Sequence, residues 1–326
     1  MPRGRPMLSS YRLILISALL PLLQMRFFSA LLVLSVPACA SLQQTSSAGG
    51  FPAGTAELVA EGTLSTAANE YNPSLSPDGR TLVFARSEPE FRNARILVSH
   101  LRDGRWSPAQ PIVFTDPRYS DTDPTFSPDG NTLYFISNRP APDRDSARAD
   151  LDIWRVRRVQ GGWGTPEHLG DAVNSRAQEL GPTWHAGSLY FASSRGGRAR
   201  MLDIYRSREG ATGFGPAEAL DGVNTEASDS DPEFSRDGQT LLFWSDRAGG
   251  RGQADVYASR RTAEGWSTAR LLEGEINSSG FDFTPSFSPD GGWIYFASMR
   301  QDSTGNPVVH NGQSNLYRIS SGSALP

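Results

Sequence analysis

The stretch DPTFSPDGNTLYFISNR, residues 123–139, decides the fold. It contains a short strand entering on Pro124, a tight SPDG turn, and a second strand, TLYFIS, of alternating β-formers. Proline fixes φ at the turn, aspartate bonds its own backbone, and glycine accepts positive φ. The same pattern recurs four times. NPSLSPDGRTLVFARS begins at Asn72, GPTWHAGSLYFASSR at Gly181, DPEFSRDGQTLLFWSDR at Asp231 and TPSFSPDGGWIYFASMR at Thr284. The anchoring prolines are Pro73, Pro124, Pro182, Pro232 and Pro285, with a mean spacing of 53 residues.

Each repeat continues outward. A third strand is marked by Ile96-Leu97-Val98, Asp152-Ile153-Trp154, Asp203-Ile204-Tyr205, Asp255-Val256-Tyr257 and Asn315-Leu316-Tyr317. An outer strand follows Trp106, Trp163, Phe214 or Trp266 and ends six residues later at Ile112, Leu169, Leu220 or Leu272. Four strands in about 50 residues is the period of a propeller blade. The fifth copy stops after its third strand at Ile319. AELVAEGTLSTAANEYNP, ahead of the first copy, is similar to ARLLEGEINSSGFDFTP ahead of the fifth. The expected fold is therefore all-β: a five-bladed β-propeller over residues 55–320, closed by an N-terminal strand that completes the last blade and removes the sheet edges. Residues 321–326 read as a C-terminal tail.

Composition agrees. The chain has 326 residues, 38% hydrophobic and 10% aromatic, with 32 Gly and 23 Pro distributed along it. That excludes a disordered chain and a helical bundle. All 31 basic residues are arginine. Lysine-dependent chemistry, the P-loop and Schiff bases included, is excluded. The net charge of −4 and the scattered arginines also speak against a nucleic-acid partner.

The repeats resemble the TolB-like, WD40-like β-propeller repeats of bacterial envelope proteins over roughly residues 55–320. The third copy departs from the pattern: Trp184-His185-Ala186-Gly187 replaces the turn and is two residues shorter. The resemblance implies a propeller in the cell envelope, and it implies no single activity.

Residues 1–39 read as an export signal. Two apolar runs, 13–23 and 27–38, are each shorter than a membrane span. Arg26, the second run and Val36-Pro37-Ala38-Cys39 have secretory logic, with Met25 as a second candidate start. The segment before Cys39, the chain's only cysteine, resembles a bacterial lipobox, with Pro37 in an atypical place. Lipidation at Cys39 is expected, and Ala40 in place of aspartate favours, by the same resemblance, an outer-membrane lipoprotein in the periplasm. The lipid would then be the only contact with the membrane. Residues 40–54 are small and polar, as a flexible tether should be. The exported part carries 27 arginines against 35 acids, a charge of −8.

Chain direction separates two faces. The turns between first and second strands lie on one, the turn face. The longer connections lie on the other, the loop face, which the entry of the tether should turn away from the membrane. Three residues before each anchoring proline stands an acid: Glu70, Asp121, Glu179, Asp229 and Asp282. They are expected to ring one mouth of the axial channel, where they would meet a ligand or pair with Arg139, Arg195, Arg247 and Arg300 at the ends of the second strands. In the first copy Glu88 takes the arginine position, so Glu70 is the acid expected to lack a partner. The loop from Pro140 to Leu151 carries Asp143, Asp145 and Asp150, with Asp152 just beyond, but not the spacing of an EF-hand. No cofactor, metal or catalytic motif is expected, and three of the four histidines (His100, His168, His185 and His310) read as surface or turn residues. The leading expectation is a non-catalytic binding protein whose partner is an envelope protein, a peptide or a glycan. The alternative is a carbohydrate-active enzyme, a glycosidase or lyase, using channel-mouth carboxylates.

Overall fold

The computed structural model describes residues 54–142, 150–197, 201–301 and 313–325. Five small antiparallel sheets follow the repeats. Their inner strands are Asn69–Leu75, Asp121–Phe126, Glu179–His185, Asp229–Phe234 and Asp282–Phe287. Each inner strand packs against the next, and the fifth packs against the first, so the blades form a ring about one axis.

The SPDG turn works as its residues dictate. In the first copy Ser76 Oγ donates to Asp78 Oδ1 (2.5 Å) and the Arg80 N–H donates to the same oxygen (2.9 Å). The arrangement repeats at Ser127–Asp129, Ser235–Asp237 and Ser288–Asp290. These hydrogen bonds hold the four aspartates below their ordinary pKa. The third copy makes a two-residue hairpin on Ala186 (φ 46°) and Gly187 (φ 78°), with His185 opposite Ser188. Beyond each turn the second strand contributes one fully buried phenylalanine, Phe84, Phe135, Phe191, Phe243 or Phe296, to the space between blades.

The ring closes as the sequence requires. Glu57–Leu58 pairs antiparallel with Asn315–Ser320, Glu57 opposite Arg318 and Leu58 opposite Tyr317. The Val59 N–H donates to Leu316 O (2.8 Å), and Arg318 Nη2 meets Glu57 Oε2 at 2.7 Å.

Two expectations are corrected. The outer strands are each split into two pairs of residues, as at Gly162–Trp163 and Glu167–His168. In three of the four, a proline (Pro108, Pro166 or Pro216) lies between the pieces and offers no N–H to the ladder. The last residues are not a free tail: Ser321–Ala324 forms one helical turn, Ala324 is buried, and its carbonyl accepts from the Glu273 N–H (3.2 Å). Among the described residues no helix is long and apolar enough to cross a membrane. The signal, Cys39, the tether before Gly54, Asp143, Asp145 and His310 lie outside the described residues.

Candidate functional site

The five acids of the loop side are all buried, at 0 to 1% exposure, and their oxygens are engaged by neighbouring loop and strand groups. Glu179 accepts from the Ser175 N–H (3.1 Å) and hydroxyl (2.6 Å), from Ser193 Oγ (2.9 Å) and from Arg195 Nη2 (2.9 Å). Asp229 repeats this with Thr225 and Arg247, and Asp282 with Ser278, Ser298 and, at 3.6 Å, Arg300. Asp121 takes both contacts of Arg139 Nη2 at 2.7 Å. A serine or threonine four residues upstream, which the sequence reading did not single out, thus completes the unit in four blades. Burial raises the pKa of Glu179 and Asp282 against the opposing pull of these donors and the arginines.

The guanidiniums are stacked as well as paired. Arg195 lies over Phe191 and Tyr205, Arg247 over Phe243 and Tyr257, and Arg300 over Phe296 and Tyr317. Carboxylate, guanidinium and rings together fasten the loop to the blade. Of the two roles weighed for Glu70, Asp121, Glu179, Asp229 and Asp282, the pairing with arginine is the one seen, at Arg139, Arg195, Arg247 and Arg300 as expected, and the ion pairs and loop N–H groups use the buried carboxylate oxygens. Glu70 has a partner too. Arg86, its direct cross-strand neighbour and two residues earlier than the expected position, donates to it at 2.8 Å, as do Thr66 and Asn315.

Two histidines differ from a surface reading. His168 is buried with Nε2 3.0 Å from Asp152. His185 stacks on Phe234 at 4.6 Å, and its half-buried ring has a lowered pKa, chiefly through desolvation.

The open space lies at the axis. A small pocket is lined by the anchoring prolines and the residues on either side of them. Just before the prolines stand Asn72, Asp123, Gly181, Asp231 and Thr284, with φ of 51°, 51°, 51°, 52° and 49°. Each sits at a register shift between the inner and second strands. This left-handed bulge turns the strand corner inward. Asparagine, aspartate and glycine adopt that conformation readily, whereas the β-branched Thr284 is strained there.

Three carboxylates reach this pocket: Asp123, Asp231 and Glu233. The Gly181 N–H donates to Asp123 Oδ2 (2.9 Å), and Thr122 Oγ1 donates to Oδ1 (2.9 Å). Trp244 Nε1 and the Asn72 side chain donate to Asp231. Thr183 Oγ1 donates to Glu233 (3.0 Å). No arginine or histidine lines the pocket. Desolvation therefore raises all three pKa values, that of Glu233 to about 7, and Asp231 is raised further by the charge of Asp123. The three were within the quoted repeats; comparing the positions flanking each proline would have singled them out. Among the described residues no group of three or more His, Cys, Asp or Glu is placed to hold a metal ion.

On the loop side, above the inner strands, lies an aromatic group. Tyr71 meets Phe91 edge-on (5.0 Å) and stacks with Phe283 (6.2 Å), while Phe281 contacts Phe283 (4.6 Å) and Trp244 (5.3 Å). Phe91 and Phe281 are half-buried and come from loop-face connections. Phe91 is delivered by a short hairpin with left-handed Glu90 (φ 61°), Phe91 (57°) and Asn93 (51°), a run without a counterpart among the described residues of the other blades.

Solved structures share this fold. TolB from Acinetobacter baumannii is 16% identical, with a TM-score of 0.46 over 78% of this chain; the match spans 55% of that protein, little more than half its length. A protein assigned as TolB in Agrobacterium tumefaciens is 18% identical at a TM-score of 0.48, covering 78% of this chain and 91% of that one. A thermostable family-43 glycoside hydrolase gives a TM-score of 0.53 at 8% identity, covering 79% of this chain and 90% of that one. The five-bladed propeller architecture expected from the repeats is the one observed. No family model and no curated protein sequence matches the chain.

Proposed function

We propose that the chain is a non-catalytic, exported propeller, lipid-anchored through Cys39 at the outer membrane and exposed to the periplasm, that binds an envelope protein or peptide at the loop face. The observation that carries this reading is the left-handed hairpin that sets Phe91 against Tyr71 and Phe283, with Phe281 against Phe283 in turn. Strained left-handed residues persist where the surrounding structure requires them, and such sites concentrate at functional surfaces. A half-buried aromatic centre framed by loops suits an apolar side chain of a partner, and the five acid–arginine units hold the surrounding loops in place. A glycan stacked on the same rings is the variant of this reading.

A photo-crosslinking residue at position 91 or 281 in the intact envelope should give one discrete adduct. One at exposed Val159 should give none. Equal labelling at all three positions overturns the loop-face assignment. Cys39→Ser should release the protein from the membrane fraction; continued retention overturns the anchor.

A second reading is favoured by one observation. Asp123, Asp231 and Glu233 break the fivefold equivalence and sit in an axial pocket with raised pKa values, as an acid–base pair of a carbohydrate-active enzyme would. Turnover on a polysaccharide panel, abolished by Glu233→Gln, would replace the binding reading with this one.

A further inference from the structure

Asp123 and Asp231 come from the second and fourth blades, and both lie against Gly181 of the blade between them. The Gly181 N–H donates to Asp123 Oδ2 at 2.9 Å, and a Cβ added to it would stand 2.0 Å from Asp231 Oδ1. Only a residue without a side chain lets both carboxyl groups close there. Their other contacts tie them to neighbours: Asp123 to Thr122, and Asp231 to Trp244 and to Asn72 of the first blade. Four of the five blades are thereby joined through two side chains.

No cation balances these groups. The first-blade strand faces them with Asn72 and Tyr71, whose phenol is itself pushed up by burial. The third-blade strand offers Gly181 and Thr183, the fourth Glu233, and the fifth Thr284. None is positive, and Glu233 adds a further carboxylate. Two ionised carboxylates on either side of one glycine in a confined pocket repel, and one proton held between them would convert the repulsion into a hydrogen bond.

We propose that Asp123 and Asp231 form a proton-operated clasp across the propeller axis, closed over Gly181 when the pair holds one proton and parted when both are ionised. The clasp is independent of what the loop face binds. It makes the tightness of the ring respond to the pH of the compartment around the protein.

The test is infrared difference spectroscopy and thermal unfolding of the purified full chain between pH 5 and 9. In a Glu233→Gln background, which takes away the third axial proton, the protein at pH 6 should show a protonated-carboxyl band that the further change Asp231→Asn removes. The folded pair binds more protons than the unfolded chain between the ordinary aspartate pKa and its own raised one. Stability should therefore fall with rising pH across that window, and the wild-type midpoint should drop by roughly 5 °C more than that of Asp123→Asn/Asp231→Asn. A band of undiminished intensity in Asp123→Asn/Asp231→Asn/Glu233→Gln, or identical pH slopes in the wild type and the double variant, overturns the clasp. The asparagine variants keep shape and hydrogen-bonding capacity, so a folded double variant with a flattened slope supports it.

Discussion

Two sets of carboxylates lie on the same five inner strands, only two to four residues apart, and they behave differently. The loop-side set, Glu70, Asp121, Glu179, Asp229 and Asp282, recurs at one position in every blade, and each member has its own arginine. The axial set, Asp123, Asp231 and Glu233, occupies three of the ten positions flanking the prolines and has no cation. Repetition with a partner fastens each blade to its incoming loop. Exception without a partner costs stability, and that cost is retained at the centre of the molecule. In a propeller, the positions that depart from the repeat are therefore the ones to examine for function.

Removing a carboxylate of the first set should have the largest effect. Asp229→Ala leaves Arg247 and the Thr225 N–H without their buried acceptor and should cost about 3–5 kcal/mol in urea unfolding. A loss below 1 kcal/mol would place Asp229 outside the structural class. Next comes Gly181→Ala. A left-handed φ of 51° and an overlap with the Asp231 carboxylate should together cost about 2–3 kcal/mol. Combining it with Asp231→Ala should recover part of the loss, and additivity of the two would show that the side chains do not meet.

The axial set should give the opposite sign. Glu233, raised to about 7 by burial, holds a proton that the unfolded chain releases near pH 4. Its contribution is complete below pH 4 and is lost as pH rises to about 7. Glu233→Gln should thus stabilise the protein at pH 8 by about 1–2 kcal/mol and leave it unchanged at pH 4, exposure to the pocket reducing the full linkage value. Destabilisation at both pH values would move Glu233 into the fastening class. The smallest effect belongs to Thr284→Asn. It eases a β-branched residue at φ 49° and should add about 0.5–1 kcal/mol, provided the new amide oxygen still accepts from the Asn72 N–H as Thr284 Oγ1 does at 3.1 Å.

The sequence shows the blades, their turns and the closing strand plainly, because each depends on local chemistry repeated at a fixed interval: Pro124, Asp129, Gly130 and their counterparts. The arginine partners at 139, 195, 247 and 300 were legible for the same reason. Arg86 was not, because the first blade takes its partner directly across the strand pair and so falls out of the column. The direction of the five acids was also hidden. Their burial depends on an upstream serine or threonine folding back, which is a matter of loop geometry. The axial carboxylates escaped because the bulge before each proline turns those residues toward the axis, and the period-two alternation of a regular strand gives no sign of it.

The strand Glu57–Leu58 joins a segment more than 250 positions further along the chain, with Glu57 bonded to Arg318 across a separation of 261 residues. The final sheet is incomplete until residue 318 has emerged, so the molecule has high contact order and should fold slowly. Late closure has a simple consequence: until nearly the whole chain is available, no finished ring exists. A chain truncated before residue 315 keeps four blades and lacks the partner for its first strand, which marks it as defective from the same seam.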